Sequence, residues 1–162
     1  VATAPEPGDF GWIVERLGAL YAAEYGFDHR FEALVARVAG EFLATRDRAR
    51  ERAWIARRRG ERIGSAMVVR ASDDTAKLRL VLVEPSARGL GVGKGLVALA
   101  MAKARAMGYR RMVLWTNDVL VAARAIYRAA GFRMVSSAPH ADFGPAVVGE
   151  EWAAALDAPG FS

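Results

Sequence analysis

The sequence predicts an α/β sandwich, with a central mixed, mostly antiparallel twisted sheet of about six to seven strands flanked by helices. Three observations carry that expectation. Apolar residues recur at helical spacing up to about Thr45, and short apolar runs bounded by turn residues take over from Trp54. Between them in importance stands a strand–turn–helix junction. The apolar run Leu78 to Val83 enters a glycine-rich turn, Arg88 to Gly95, that opens directly into the helical stretch Leu96 to Met107.

The elements follow in order. Asp9 is placed to cap a first helix from about Phe10 to Tyr25, with Trp12, Leu17, Leu20 and Tyr21 on one stripe and Gly26 at its end. Asp28 is placed to cap a second helix to about Thr45, carrying Phe31, Leu34, Val35, Val38 and Phe42 at helical spacing. Strands Trp54 to Arg58 and Ile63 to Arg70 form a hairpin around Gly60-Glu61, and Ser72 to Thr75 makes a second turn. After the junction come a strand, Arg111 to Thr116, and a helix, about Val119 to Ala130, closed by Gly131. Two strands, Phe132 to Ser136 and about Val147 to Ala153, complete the domain, with Ser137 to Gly144 as their connection. No internal repeat, low-complexity tract or linker interrupts the pattern.

Composition narrows the class. With 162 residues and 53% hydrophobic content the chain suffices for one core and is short for two, so a single domain over 1–162 is expected. The absence of cysteine excludes disulfides, thiolate catalysis and Cys-based metal sites. No apolar run approaches the ~18 residues needed to cross a bilayer, and Val1 to Asp9 has no secretory pattern, which predicts a soluble, cytoplasmic protein. The chain begins at Val rather than Met, as a processed product or part of a longer protein would. The net charge of +5 invites a nucleic-acid reading, but the arginines are spread over segments that also carry core residues, as on solvated faces.

The junction carries the functional signal. A glycine-rich turn between a buried strand and a helix directs bare backbone N–H groups outward at the positive end of the helix dipole, a setting for a phosphate or pyrophosphate. The dinucleotide fingerprint fails because Lys94 stands where its third glycine belongs, and the P-loop fails because Arg88 and Gly95 occupy its required positions. What fits is R-x-x-G-x-G across Arg88, Gly91 and Gly93, preceded by V-E-P at Val83 to Pro85. This resembles the coenzyme A signature of the GNAT superfamily of N-acetyltransferases. A second block, Ala123, Ile126, Tyr127, Gly131 and Phe132, resembles that superfamily's A-x-x-x-Y-x-x-x-G-F pattern. P-G-D-F-G-W from Pro7 and Y-A-A-E-Y-G-F-D from Tyr21 resemble GNAT domains fused behind MarR-type transcription regulators.

The resemblance implies a site. Acetyl-CoA is the implied cofactor, with its pyrophosphate on the amides of Gly89, Leu90, Gly91, Val92, Gly93 and Lys94 and charge-assisted contacts from Arg88 and Lys94. Pro85 offers no N–H, so the sheet ladder is expected to stop or splay just past Val83. Leu82 and Val83 then lend backbone groups to the pantetheine arm, which adds like a strand. A backbone N–H near Val83 is the candidate for polarising the thioester carbonyl. Tyr127 aligns with the tyrosine that protonates the leaving thiolate, a role suited to a phenol of pKa near ~10. Many family members carry Asn where this chain has Leu120, and Asn117 is the candidate substitute. Arg124 is a candidate contact for the nucleotide end.

The general base is assigned to Glu84, at the end of the cofactor strand, with Glu24 and Asp28 in the turn after the first helix as alternatives. Acidic residues there would favour a cationic amine. His29 and His140 are read as surface or turn residues. The implied reaction is acetyl transfer to a primary amine of a small molecule or peptide, and fold alone does not choose the acceptor. A coenzyme A-binding sensor tied to a MarR-type partner or fused segment is the alternative from another class. The resemblance further implies a homodimer.

Overall fold

The computed structural model describes residues 1–156, and the expected sheet and helices are all present. The strands are β1 (Ala2–Thr3), β2 (Arg52–Arg58), β3 (Glu61–Arg70), β4 (Thr75–Val83), β5 (Arg111–Asn117), β6 (Arg133–His140) and β7 (Val147–Ala155). The helices are α1 (Asp9–Tyr25), α2 (His29–Thr45), α3 (Val92–Ala106) and α4 (Val121–Ala129), with one 3-10 turn at Pro85–Ala87. The sheet runs in the order β1-β2-β3-β4-β5-β7-β6, and every pairing is antiparallel except β4 with β5.

Strand alternation divides the apolar residues between two cores. Trp54, Ala66, Val68, Ala76 and Leu78 pack under α3 and α4 with Leu96, Val97, Ala100 and Phe132. Ala53, Ile55, Met67 and Leu82 pack under α1 and α2 with Ile13, Leu17, Val35 and Phe42. The change of allegiance along β4, from Leu78 on one face to Leu80 and Leu82 on the other, marks a bulge. Register slips between Ser65 and Met67 of β3, which face Leu82 and Arg79, and Leu80 takes a φ of 50°.

Local sequence explains most boundaries. The β2–β3 loop is Arg59-Gly60, both with positive φ (53° and 80°), one residue earlier than expected and matching a two-residue type I′ hairpin. Asp28 caps α2 as its sequence position suggested, accepting from the Arg30 N–H at 3.0 Å. Asp9 does not cap α1. Gly8 holds that position in a left-handed conformation, and Asp9 is a buried residue of the first turn that accepts from the Glu6 N–H, Arg57 and Arg62.

The other departure is at the sheet edge. Residues Ser137 to His140 extend β6 rather than forming a connection, so that Pro139 sits on an edge strand where its missing N–H is tolerated. Short β1, which pairs with β2, has no periodicity from which to be read. None of the described helices is long and apolar enough to cross a membrane.

Candidate active site

The parallel ladder between β4 and β5 stops at Leu78, paired with Leu114. From Arg79 onward β4 stays paired with β3, through Leu82 with Ser65 and Val83 with Gly64, while its other edge is open. The splay therefore begins at the Leu80 bulge, three residues before Val83, rather than just past Val83. The cause is the bulge, which is pinned where the Ser65 hydroxyl donates to the Leu80 carbonyl at 2.7 Å. A proline after the strand ends a ladder; a bulge within it turns the strand away sooner.

The glycine turn sits at the end of that open edge. Gly91 precedes α3 with φ 78° and no side chain caps the helix, and its first bond runs from the Gly95 N–H to the Gly91 carbonyl. The N–H groups of Val92, Gly93 and Lys94 thus have no partner within the helix, beside the positive end of its dipole. Gly89 and Gly91 are glycines for their backbone conformation, since a Cβ on either would meet nothing. Gly93 is a glycine for packing. A Cβ there would come within 2.8 Å of Ile126 and 3.1 Å of Val83.

Between these features lies a cleft of about 360 Å³, lined by Leu20, Tyr21, Glu24 and Tyr25 of α1, Val81 to Val83 of β4, Ala87 to Gly89, Gly91 to Lys94, and Leu120, Ala123, Ile126 and Tyr127. It therefore gathers most of the residues singled out in the sequence. Leu90 is not among the lining: its side chain is exposed and its N–H is spent on the Ala87 carbonyl. Arg88 lines the cleft but is paired with Glu24 across its mouth, at 2.5 and 2.8 Å.

Tyr127 is buried at the inner end of the cleft. Burial pushes its phenol above the ordinary range, so it holds its proton throughout neutral pH. Tyr21 stacks on Phe31 at 4.7 Å, and its phenol is likewise raised by burial and by neighbouring Tyr127. In the sequence Tyr21 reads as part of the apolar stripe of the first helix and of the Y-A-A-E-Y-G-F-D segment, not as a site residue. A second cavity, about 160 Å³, shares Tyr21, Val81, Leu120 and Tyr127 with the first and continues toward Lys77, Arg79, Trp115, Thr116 and Asn117. Nothing in the sequence flagged that cavity, although Lys77 and Arg79 interrupt an otherwise apolar strand.

Three sequence candidates stand elsewhere. Glu84 lines neither cavity and accepts both Nε and Nη2 of Arg16, at 2.5 and 3.0 Å. Asn117 belongs to the second cavity, its Oδ1 2.7 Å from His140 Nε2. Arg124 pairs at 2.9 Å with Glu150, which is 3% exposed and also receives Trp152 Nε1. Of the alternative acids, Glu24 lines the cofactor cleft and Asp28 is held by Arg30, which draws its carboxyl down to about 2. His29 is exposed at the start of α2.

A model of the acetyltransferase (GNAT) family matches residues 14–132, which include the glycine turn and Tyr127. The chain belongs to the GNAT acetyltransferase family. The family's donor is acetyl-CoA, and the cleft fits it: orphan amides at one end, an open strand edge in the middle and a mostly apolar lining. Among GNAT relatives, the chain is 33% identical over 88 residues to the uncharacterized N-acetyltransferase YjgM of Escherichia coli, covering 52% of this chain and 53% of that protein. It is 35% identical over 83 residues to the N-acetylaspartate synthetase of Danio rerio, covering 51% and 29%. The chain thus matches about half the length of the first of these curated relatives and less of the second.

The fold extends further than the sequence match. A GNAT acetyltransferase of Staphylococcus aureus Mu50 superposes with a TM-score of 0.78 at 16% identity, over 97% of this chain and 99% of that one. The Salmonella typhimurium protein yncA, solved with acetyl-CoA, gives a TM-score of 0.71 at 19% identity over 100% of this chain and 96% of that one.

Proposed function

We propose that the protein transfers the acetyl group of acetyl-CoA directly to a primary amine. The observation that carries this reading is the continuity of one cleft from the uncapped start of α3, along the open edge of β4, to the buried hydroxyl-bearing Tyr127. Bound acetyl-CoA supplies an acyl group activated as a thioester. The N–H groups of Gly89, Gly91, Val92, Gly93 and Lys94 hold the pyrophosphate, and the Lys94 ammonium adds charge at the rim. The free backbone of Leu82 and Val83 orients the pantetheine arm. A backbone N–H on that edge donates to the thioester carbonyl.

Tyr127 holds its proton at Oη throughout neutral pH and releases it to the departing sulfur. Proton removal from the incoming amine falls to solvent, because Glu84 and Glu24 are each held by an arginine, Arg16 and Arg88. The Glu84 carboxylate is committed to Arg16, so taking a proton would cost it that pairing. The segments that resemble MarR-fused domains do structural work: Gly8 and Asp9 start α1, and Tyr21 and Phe27 pack around the acceptor side. The enzyme reading is supported by the intact Tyr127 and is preferred to a sensor.

Calorimetric titration of acetyl-CoA into wild type, Gly91→Val and Lys94→Glu tests the site. Micromolar binding by wild type that weakens at least tenfold in either folded variant is expected. Absence of binding by wild type would overturn the proposal. Lys94 is exposed, so its variant keeps the test valid if Gly91→Val does not fold.

A further inference from the structure

The second cavity restricts which amine enters. Lys77 and Arg79 stand two residues apart on β4, before the bulge, and both line it. Among the described residues neither has a carboxylate within ion-pair distance, and the cavity lining contains no Asp or Glu. Glu41 and Glu151 act on the two cations at longer range, while Arg37 opposes them. Burial depresses both cations, the mark of charge removed from water without a counter-ion in contact.

Asn117 adds a neutral donor. The Asp142 N–H donates to His140 Nδ1 at 3.1 Å, which leaves the proton on Nε2, and Nε2 then donates to Asn117 Oδ1 at 2.7 Å. With its oxygen fixed by His140, the Asn117 amide presents its NH₂ group as the remaining donor of a residue that lines the cavity. Leu17, Phe31, Leu34, Val35 and Val38 make an apolar side of the wall, and Tyr21, Thr116 and Tyr127 add hydroxyls.

Resting on the acetyl-transfer reading above, we propose that this cavity is the acceptor subsite and that the acceptor is an amine carrying a carboxylate or phosphonate, whose anion is held by Lys77, Arg79 and Asn117. The two cavities meet at Tyr21, Val81, Leu120 and Tyr127. From Arg79 to Val81 is two residues across the Leu80 bulge, a span of at most about 7 Å. An anion seated at Lys77 and Arg79 therefore directs the amine of a small amino acid or aminophosphonate to the end of the cofactor cleft. A polyamine would bring its second ammonium against two cations and is excluded. The charge of the subsite is thus opposite to that expected from Glu24 and Asp28, which pair with Arg88 and Arg30 instead.

The test uses L-leucine, L-leucinamide, isopentylamine and the aminophosphonic analogue of leucine. Thiol release is measured at saturating acetyl-CoA, and each compound is also titrated without cofactor while the Trp115 and Asn117 resonances are followed. The carboxylate or phosphonate compound is expected to exceed its neutral counterparts at least tenfold in kcat/KM and to shift those resonances. Which of the two anions leads identifies the source chemistry. Arg79→Met and Lys77→Met should raise acceptor KM tenfold or more with kcat and acetyl-CoA affinity preserved, and Arg79→Lys should recover part of the loss. Equal or better turnover of the neutral amines, or anion titrations that leave the resonances unmoved, would overturn the inference. Shifted resonances in a protein that binds no acetyl-CoA would sink the enzyme reading while leaving the anion site standing.

Discussion

The Ser65 hydroxyl reaches across from β3 to hold the Leu80 carbonyl at 2.7 Å, at the point where β4 leaves β5. Ser65 is 1% exposed, so removing its hydroxyl strands a buried carbonyl. Ser65→Ala should cost about 1–2 kcal/mol of stability, read by urea unfolding. It should also lower kcat more than acetyl-CoA affinity, because the pyrophosphate end is untouched while the edge that orients the thioester relaxes. Equal losses in both would mean that the bulge is scaffold only.

Tyr127→Phe removes a proton donor from a buried position lining the cleft and leaves the packing against Phe132, at 5.9 Å between ring centroids, intact. A fall in kcat of about 10²-fold is expected, with stability and acetyl-CoA binding unchanged. Because burial raises the Tyr127 phenol, the wild-type rate should show no alkaline decline from this group until well above pH 10. Retention of full kcat in the variant would remove Tyr127 from the proton path. Tyr21→Phe is the matched comparison and should lose less.

How much of this was legible depended on whether the signal was local. The glycine turn and the tyrosine block are local patterns, and the structure joins Gly89, Gly91, Val92, Gly93, Lys94 and Tyr127 in one cleft. Glu84 and Arg124 look identical in sequence to free cleft residues. Their partners, Arg16 and Glu150, lie 68 and 26 residues away, a separation no short pattern records. The Leu80 bulge was hidden for a similar reason. Its residues are ordinary strand formers, and its cause is the cross-strand hydroxyl of Ser65. The second cavity was missed because Lys77 and Arg79 read as a solvated strand face until α1 and α2 cover them.

Glu84→Gln tests the assignment of the base. The side chains of Glu84 and Arg16 are 14% and 30% exposed, and loss of their charged pairing should cost about 1 kcal/mol of stability. The pH profile of kcat/KM should keep its shape. Disappearance of its acidic limb would return Glu84 to the proton path through a rearrangement of Arg16.

Glu24 faces Arg88 across the mouth of the cleft, where its charge would compete with the proposed pyrophosphate for the same guanidinium. Glu24→Gln releases Arg88 and removes a repulsive carboxylate. Acetyl-CoA should then bind several-fold tighter at low salt, with the gain shrinking as ionic strength rises. Weaker binding would show that the pair holds the loop in its competent shape.

Asp9 links folding to pH through a buried carboxylate. Burial alone would raise its pKa, but hydrogen bonds from the Glu6 N–H, Arg62 and Arg57 outweigh that cost and hold it below the usual value. A carboxyl depressed in the folded state stabilises the fold fully above its unfolded pKa of about 3.9, and that contribution disappears as pH falls through the folded value. Asp9→Asn should therefore cost about 2 kcal/mol at pH 7, since Arg57 and Arg62 lose their shared counter-ion. The Tm gap between wild type and variant should hold from pH 7 to about pH 5 and narrow below pH 4. A gap that stays constant to pH 2 would mean that Asp9 acts through shape and hydrogen bonding rather than through its charge.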